Sequence, residues 1–330
     1  MSLTVDIHAH YFPQAYLRLM KEHGARHGVR FDERNPNGPV MHVAGEIPSG
    51  PVTPPFVDLE LRLAAMDRQR VDVQALSLTQ PMVYWADDDL GLQLSVAFND
   101  AVSAAHKQYP ERLLGFATLP FQNPKLALEE LDRAAKLPGI RGVYIATVVR
   151  DRDLSDRSFF PIYERMEELG LPLFLHPMMV NNERMKQFYL INLCGNPFET
   201  ALAASHLIFG GVLDAFPNLE ISLPHAGGAL PILRGRLDRG FAIRPECKTI
   251  PRRPSEYLKR FTYDTISYDD GVLKDLVDLV GADRIMVGSD YCFDIAYEEP
   301  VRMIAQNATL TPEQKQLILG DNAKRLLRIE

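Results

Sequence analysis

Two histidines close the first apolar segment of the chain, where Val5-Asp6-Ile7 is followed by His8, Ala9 and His10. Side chains at positions i and i+2 of a strand project from the same face, so His8 and His10 are expected to lie side by side. Neutral imidazole nitrogen is a common ligand of divalent transition metals. The pair therefore predicts half of a metal site, although histidines also fall at this spacing on ordinary surfaces.

The other half of such a site has candidates further along the chain. His176, His225 and Asp290 each come at the end of a short apolar run. A single histidine in that position is more often a hydrogen-bonding residue than a ligand, and Gly-Ser-Asp at 288–290 could simply cap the next loop. If the runs are strands of one barrel, however, their carboxyl ends share a rim where all five side chains meet. Such a meeting predicts a metal site.

The elements that would position these residues can be read from the hydrophobic pattern. Short apolar runs alternate with segments of helical period, and counting the opening run gives about eight strands, the number and order of a (β/α)8 TIM barrel in the α/β class. A doubly wound parallel sheet is the alternative, but it rarely extends to so many regular units. The predicted strands are 5–10, 71–78, 113–119, 142–146, 171–176, 219–225, 261–265 and 284–290.

One segment interrupts this alternation. Between residues 12 and 56 prolines and glycines follow at close intervals, which excludes a long helix and predicts a loop insertion or a small hairpin flap. Residues 1–330 are expected to form one barrel domain that carries this insertion. The predicted helices are 58–67, 90–109, 125–137, 160–169, 199–216 and 272–280, and a last one that opens on a capping box at 311–314.

Composition limits the classes of function. The formal net charge of −7 is spread along the sequence, and no run of lysine and arginine indicates a nucleic-acid surface. Three widely separated cysteines argue against a disulfide framework and favour a reducing cytoplasm. No window has the length and hydropathy of a membrane span, and no signal peptide opens the sequence. These features predict a soluble cytoplasmic protein that acts on a small molecule.

The residues at the predicted strand ends also stand in motifs of a known family. The opening His-x-His, His-Pro at 176–177, His-x-Gly-Gly at 225–228 and Gly-Ser-Asp-Tyr at 288–291 resemble the amidohydrolase superfamily. The resemblance is to the branch of 2-amino-3-carboxymuconate-6-semialdehyde decarboxylase and related metal-dependent decarboxylases. It covers nearly the whole chain and includes residues 66–67, 71–74, 210–212, 235–236, 254–257 and 320–323.

The resemblance implies a role for each side chain. It implies one divalent metal, usually zinc and in some relatives manganese, with four ligands: His8, His10, His176 and Asp290. His225 would stand beside the metal-bound water as a catalytic acid/base, and Asp290 would share in the proton transfer. Members with two metals use a carboxylated lysine at the end of the fourth strand, where this chain reads Tyr144-Ile145-Ala146-Thr147. A single metal is therefore expected, able to activate water or polarise a substrate oxygen.

The sequence departs from these relatives around the expected substrate pocket. Their insertion carries an arginine that grips a substrate carboxylate, whereas residues 46–51 here hold none, and their His-Pro-Trp is His176-Pro177-Met178. The pocket should then be less cationic, which favours a related aromatic or unsaturated acid over aminocarboxymuconate semialdehyde as the substrate. The resemblance also implies a homodimer, in which Arg236 matches an arginine that binds a substrate carboxylate in the neighbouring subunit's site.

Two classes of reaction fit this site. The first is metal-dependent, nonoxidative decarboxylation of a small aromatic or muconate-type carboxylic acid, with His225 and Asp290 handling the proton that replaces carbon dioxide. The second is metal-dependent hydrolysis of a lactone, ester or amide, or hydration of an unsaturated diacid. A non-enzymatic metal scaffold is disfavoured because a barrel packed by its own strands needs no open ligand position. Fold resemblance does not separate lyase from hydrolase.

Overall fold

The computed structural model describes residues 3–179 and 182–329. Eight parallel strands follow one another around a single sheet in sequence order, with helices between them, so the predicted TIM barrel is confirmed. The strands, β1 to β8, are Val5–His10, Val73–Ser77, Leu113–Thr118, Ile140–Ala146, Leu173–His176, Ile221–Leu223, Phe261–Asp264 and Ile285–Met286.

The barrel closes between β8 and β1 through backbone contacts. The amide nitrogen of Ile7 donates to the carbonyl of Val287 at 2.9 Å, and that of Asp290 donates to the carbonyl of His8 at 2.9 Å. All six residues of β1 are buried, as is usual for a parallel strand covered on both faces. The closure places the carboxyl end of β1 directly beside the loop that follows β8.

The helices surround the sheet. The long helix Asp88–Gln108 is typical, since the Asp87 side chain accepts the amide hydrogen of Leu90 at 2.9 Å and acidic residues occupy the first turn. The other main helices are Leu59–Gln69, Pro124–Ala134, Phe160–Leu169, Asn196–Phe209, Leu230–Ile243, Asp270–Val280, Pro312–Gln316 and Asn322–Leu327. Among the described residues, no helix has both the length and the apolarity needed to cross a membrane.

Several predicted elements differ in extent from the observed ones; the predicted strand 219–225, for example, pairs only at Ile221–Leu223, so His225 lies in the loop after it. The predicted helix 199–216 is two helices, Asn196–Phe209 and Val212–Ala215, because Gly211 between them adopts a left-handed φ of 71°. The predicted strand 284–290 pairs only at Ile285–Met286. The chain then leaves the ladder, and Asp290 lies in the following loop with a left-handed φ of 60° and donates its amide hydrogen to the carbonyl of His8 in β1. The capping box at Thr311 is confirmed.

The insertion contains the predicted hairpin. Arg30–Asp32 pairs with Val40–His42 in an antiparallel ladder, and Met41 and Ser49 exchange backbone hydrogen bonds at 2.8 and 2.9 Å. A ten-residue helix, Gln14–His23, precedes the hairpin and was not predicted, because the breakers that suggested a loop cluster only after it. We call residues 12–56 the flap.

Candidate active site

Five side chains, from β1 and β5 and from the loops after β6 and β8, meet at the carboxyl rim of the barrel. The ring of His10 lies 5.0 Å from that of His8 and 4.9 Å from that of His176, measured between centroids. The His225 ring lies 5.4 Å from that of His8. Ligand atoms of His8, His10 and His176 lie within 4.8 Å of one another, as do those of His8, His225 and Asp290. The structure therefore brings together all five residues that the sequence places at the rim.

Each of the three clustered imidazoles is oriented at one nitrogen by a buried polar side chain. The contacts join His8 Nδ1 to Asp264 Oδ2 at 2.7 Å, His10 Nδ1 to Ser77 Oγ at 3.1 Å, and His176 Nε2 to Thr79 Oγ1 at 3.1 Å. Of the other nitrogens, His10 Nε2 contacts Asp290 Oδ1 at 3.1 Å. His8 Nε2 and His176 Nδ1 are buried without a partner among the described atoms. Burying a ring nitrogen without a hydrogen bond or a bound metal costs free energy of folding, and a divalent metal fits this set of donors.

Tyr144 packs beside the three clustered imidazoles. Its ring centroid lies 6.4 Å from that of His8, 6.1 Å from that of His10 and 5.9 Å from that of His176. Tyr144 opens the stretch 144–147 at the end of β4, which contains no lysine. A fully buried tyrosine there offers no bridging carboxylate.

The protonation states of His10 and His176 suit a metal site. Burial lowers the pKa of His10 to about 4, and burial together with neighbouring imidazoles lowers the pKa of His176 well below its usual range. Both rings are then neutral near pH 7, the form that binds a metal. Burial also opposes protonation of His8, but its hydrogen bond with Asp264 and the charge of Asp290 outweigh burial and raise its pKa.

Asp290 is the carboxylate of the cluster. Its Oδ1 lies 3.5 Å from His8 Nε2, and its Oδ2 lies 3.9 Å from His225 Nε2. Burial would raise the pKa of Asp290, but the hydrogen bond with His10 and the closeness of the His225 and His8 imidazoles hold that pKa well below its usual range. The side chain is therefore an ionised acceptor placed between the three clustered imidazoles and His225.

A second buried network lies behind the cluster and was not predicted. Arg62 is fully buried; it donates to Gln74 Oε1 at 2.6 Å and also to the backbone carbonyl of His10. Gln74 in turn donates to Asp6 Oδ2 at 2.8 Å, and the Ser289 hydroxyl donates to the same oxygen at 2.6 Å. The network ties β1 to β2 and to the loop after β8, and so fixes the backbone that carries the histidines.

Asp264 is a further site residue that sequence reasoning missed. It ends β7, is almost fully buried, and contacts both His8 and the backbone of the loop that carries His225. Burial would raise its pKa, but the hydrogen bond with His8 and the charges of His8 and His225 lower it. The signal that could have found Asp264 is its position, because it is an acidic residue at the carboxyl end of a predicted strand, like Asp290.

Two cavities adjoin the cluster, and four residues line both: Asn192, Asn196, His225 and Asp290. The first, of about 730 Å³, lies against the flap and includes Ile47–Pro51 and three phenylalanines, Phe12, Phe56 and Phe293. We call it the flap-side cavity. The second, of about 780 Å³, is lined by the helices Leu230–Ile243 and Asp270–Val280 and includes Arg234. We call it the helix-side cavity. The reacting groups lie where the two meet.

Arg236 is not brought into this cluster within one chain. It lies on the helix Leu230–Ile243 with an exposed side chain, and it lines neither cavity. The same helix exposes Ile232, whose side chain is 84% accessible. The prediction for Arg236 concerns a neighbouring subunit and stays a prediction.

Comparisons with known proteins show what the chain is similar to. The family model described as amidohydrolase matches residues 5–329. The chain is 34% identical to 2-amino-3-carboxymuconate-6-semialdehyde decarboxylase of Dictyostelium discoideum over 337 residues, covering 100% of this chain and 92% of that protein. It is 28% identical to gamma-resorcylate decarboxylase of a Polaromonas species, covering 81% and 86%. The crystal structure of 5-carboxyvanillate decarboxylase from Sphingomonas paucimobilis superposes with a TM-score of 0.86 at 25% identity, covering 100% of both chains.

Proposed function

Since the chain belongs to the amidohydrolase family, we propose that it is a metal-dependent nonoxidative decarboxylase, a carboxy-lyase, acting on a small aromatic carboxylic acid. The observation that carries the proposal is the meeting of His8, His10, His176, His225 and Asp290 at one rim, in a chain similar over its full length to decarboxylases. The same arrangement suits hydrolysis in chemical terms, but the similar proteins reported above are all decarboxylases.

The ligands that we propose for one divalent metal are His8, His10, His176 and Asp290. When bound, the metal would act as a Lewis acid towards the oxygen atoms of the substrate. Three imidazoles and one carboxylate favour zinc over manganese, because zinc binds nitrogen donors more tightly in the usual order of divalent metals. Zinc is therefore the proposed resident metal, with manganese as the alternative.

His225 and Asp290 are proposed to handle the proton. Loss of carbon dioxide leaves the electron pair of the broken carbon–carbon bond on the substrate carbon, and a proton must take its place there. His225 Nε2 lies 3.9 Å from Asp290 Oδ2, and His225 faces both cavities. This placement supports His225 as the acid that delivers the proton to that carbon and Asp290 as the ionised carboxylate that orients its imidazole, with His225 taking up a new proton from water before the next turnover.

The flap-side cavity supports the substrate class. Its described lining contains no lysine or arginine, and Ile47–Pro51 occupy the place where the resemblance puts a carboxylate-binding arginine. Aromatic rings and prolines supply most of the apolar wall. Such a cavity favours an aromatic acid whose reacting carboxylate is its main charge over an acid with several.

The experiment that tests the function is a substrate panel. Hydroxybenzoates and methoxybenzoates are incubated with the protein beside lactones and esters, and carbon dioxide release is measured in parallel with acid release. We expect carbon dioxide from at least one aromatic acid. Acid release from a lactone or ester without any carbon dioxide would replace the lyase by a hydrolase.

We expect purified protein to contain close to one tightly bound divalent metal per chain. The four proposed ligands provide one site, and the end of β4 at 144–147 holds no lysine that could bridge to a second metal. Elemental analysis of protein purified without chelators measures this content and separates zinc from manganese. A reproducible content near two per chain would contradict the single site.

We also propose that two chains associate, with Arg236 reaching the partner's substrate. Its exposed side chain, and the exposed Ile232 on the same helix, support a surface that a second chain covers. A planar guanidinium is suited to a carboxylate, which it can bind through two parallel hydrogen bonds.

The protein is proposed to work in the cytoplasm, which the three free cysteines support.

Arg236→Lys is expected to raise KM for the aromatic acid by roughly tenfold, and Arg236→Ala by up to about a hundredfold, because losing a charged hydrogen bond costs about 1.5 to 3 kcal/mol. Metal content and oligomeric state should not change. Steady-state kinetics and elemental analysis check this. Arg239→Lys is the matched control, an exposed arginine on the same helix. Unchanged kinetics in both Arg236 variants would remove this residue from substrate binding.

A further inference from the structure

Asp264 receives hydrogen bonds from four donors that belong to three parts of the site. Its Oδ2 accepts from His8 Nδ1 at 2.7 Å and from the amide nitrogen of His225 at 3.0 Å. Its Oδ1 accepts from the amide nitrogens of Ala226 at 2.8 Å and Ile266 at 3.0 Å. Because an ionised carboxylate only accepts, His8 has to carry its proton on Nδ1. That tautomer leaves His8 Nε2 free for a metal.

The loop that carries His225 needs this support. His225 and Ala226 both have a φ of 54°, a left-handed conformation that residues with a side chain rarely adopt. The amide groups of both residues point at Asp264, so one carboxylate holds two successive unfavourable residues. Gly288, on the loop after β8, packs closely against Asp264 and His8. A Cβ at this position would lie 2.8 Å from Asp264 Cβ and 3.1 Å from His8 Cβ, so only glycine fits.

We propose that Asp264 is a positioning residue that joins metal binding to proton transfer. Through His8 it sets the tautomer that a metal requires, and through the backbone of His225 and Ala226 it sets where the acid/base stands. The part that concerns His225 rests on the proposed function, whereas the part that concerns the tautomer of His8 does not.

Asparagine at this position tests both tasks at once. Its side chain has the shape of aspartate but keeps only one acceptor oxygen, so its NH2 group must face two of the four donors. If the NH2 faces Ala226 and Ile266, the turn is pushed away, and the uncharged oxygen left facing His8 makes that imidazole a weaker metal ligand. If it faces His8 and His225, His8 can adapt only by moving its proton to Nε2, the nitrogen that a metal needs. Either orientation damages the site.

The first measurement uses the unmodified, metal-free protein labelled with 15N-histidine. Two-bond 1H–15N correlation spectra report which nitrogen of each histidine carries the proton. We expect a proton on Nδ1 of His8, assigned by comparison with His8→Gln. A signal showing Nδ1 of His8 without a proton would overturn the proposal before any change is made at Asp264.

The second measurement compares Asp264→Asn with Thr262→Val, a control on the same strand whose buried hydroxyl has no partner among the described residues. We expect zinc affinity, measured by chelator competition, to fall about tenfold to a hundredfold in Asp264→Asn. We also expect kcat at saturating zinc to fall by a similar factor with KM little changed. Thr262→Val should match the unmodified protein, and thermal unfolding confirms that both variants are folded.

Failure of the proposal and failure of the proposed function look different. Unchanged zinc affinity in folded Asp264→Asn, or full recovery of kcat at saturating zinc, would overturn the positioning role. If the unmodified protein decarboxylates no acid, the proposed function fails. A crystal structure of Asp264→Asn then decides whether Asp264 holds the backbone of His225 and Ala226 in place. An unmoved turn at His225–Gly227 in that structure would overturn this role, and a displaced turn would support it.

Discussion

Asp290→Asn will cost the protein both its metal and its turnover. Asp290 Oδ1 lies 3.1 Å from His10 Nε2 and 3.5 Å from His8 Nε2, so it faces the nitrogens that would hold the metal. Its other oxygen faces His225. The amide is uncharged and a weaker ligand, and its NH2 group would point at either the metal or His225. Since general acid–base transfer alone contributes roughly 10² to 10⁴-fold, we expect kcat to fall by about 10³-fold or more.

The measurement pairs elemental analysis with carbon dioxide release at added zinc and manganese. Asp283→Asn is the matched control, because it removes an exposed carboxylate at the opposite end of β8. We expect a substoichiometric metal content in Asp290→Asn that excess metal restores only in part, with turnover still low. A variant that binds metal fully and keeps half of its activity would exclude Asp290 from both tasks.

His225→Ala should keep its metal and lose most of its turnover. His225 Nδ1 is buried without a partner among the described residues, and the Nε2 atom lies 3.9 Å from Asp290, a distance suited to a group that moves into contact during the reaction. We expect kcat to fall by roughly 10² to 10⁴-fold. His225→Asn is a useful second variant, since asparagine tolerates the left-handed backbone of this residue better than alanine.

The contrast with His176→Ala decides the role. His8, His225 and Asp290 also lie close enough together to hold an ion, so the geometry alone allows His225 as a ligand. We expect His176→Ala to purify without metal and His225→Ala to purify with it. If both variants lose the metal equally, His225 is a ligand and the proton must come from elsewhere.

The positions of the histidines followed from the sequence because a barrel has a simple rule for strand ends. His10 and His176 each end a strand that could be recognised from its apolar run, His8 lies two residues before His10, and the rim places the three together. Asp290 was found by the same reasoning although it lies beyond β8. It remains at the rim because the loop that carries it folds back over β1.

The supporting residues could not be found in that way. Arg62 lies on an amphipathic helix where an arginine is usually solvated, and only the packed structure shows its guanidinium fully buried against β1 and β2. Asp264 depends on which side chains face it across the barrel. The division of the pocket into two cavities depends on the flap and on helix packing, neither of which leaves a periodic signal.

The seam between β8 and β1 has a consequence for how the protein matures. His8 and His10 lie at the start of the chain, and Asp290 stands near its end, so the site joins segments that a ribosome makes far apart in time. Contacts of such long sequence separation form late in folding, because a large loop must first be closed. During synthesis, His8 and His10 would lack the carboxylate of Asp290 until the segment after β8 has been made and has folded. Uptake of the ion would then report completion of the barrel, and a truncated product would be left without it.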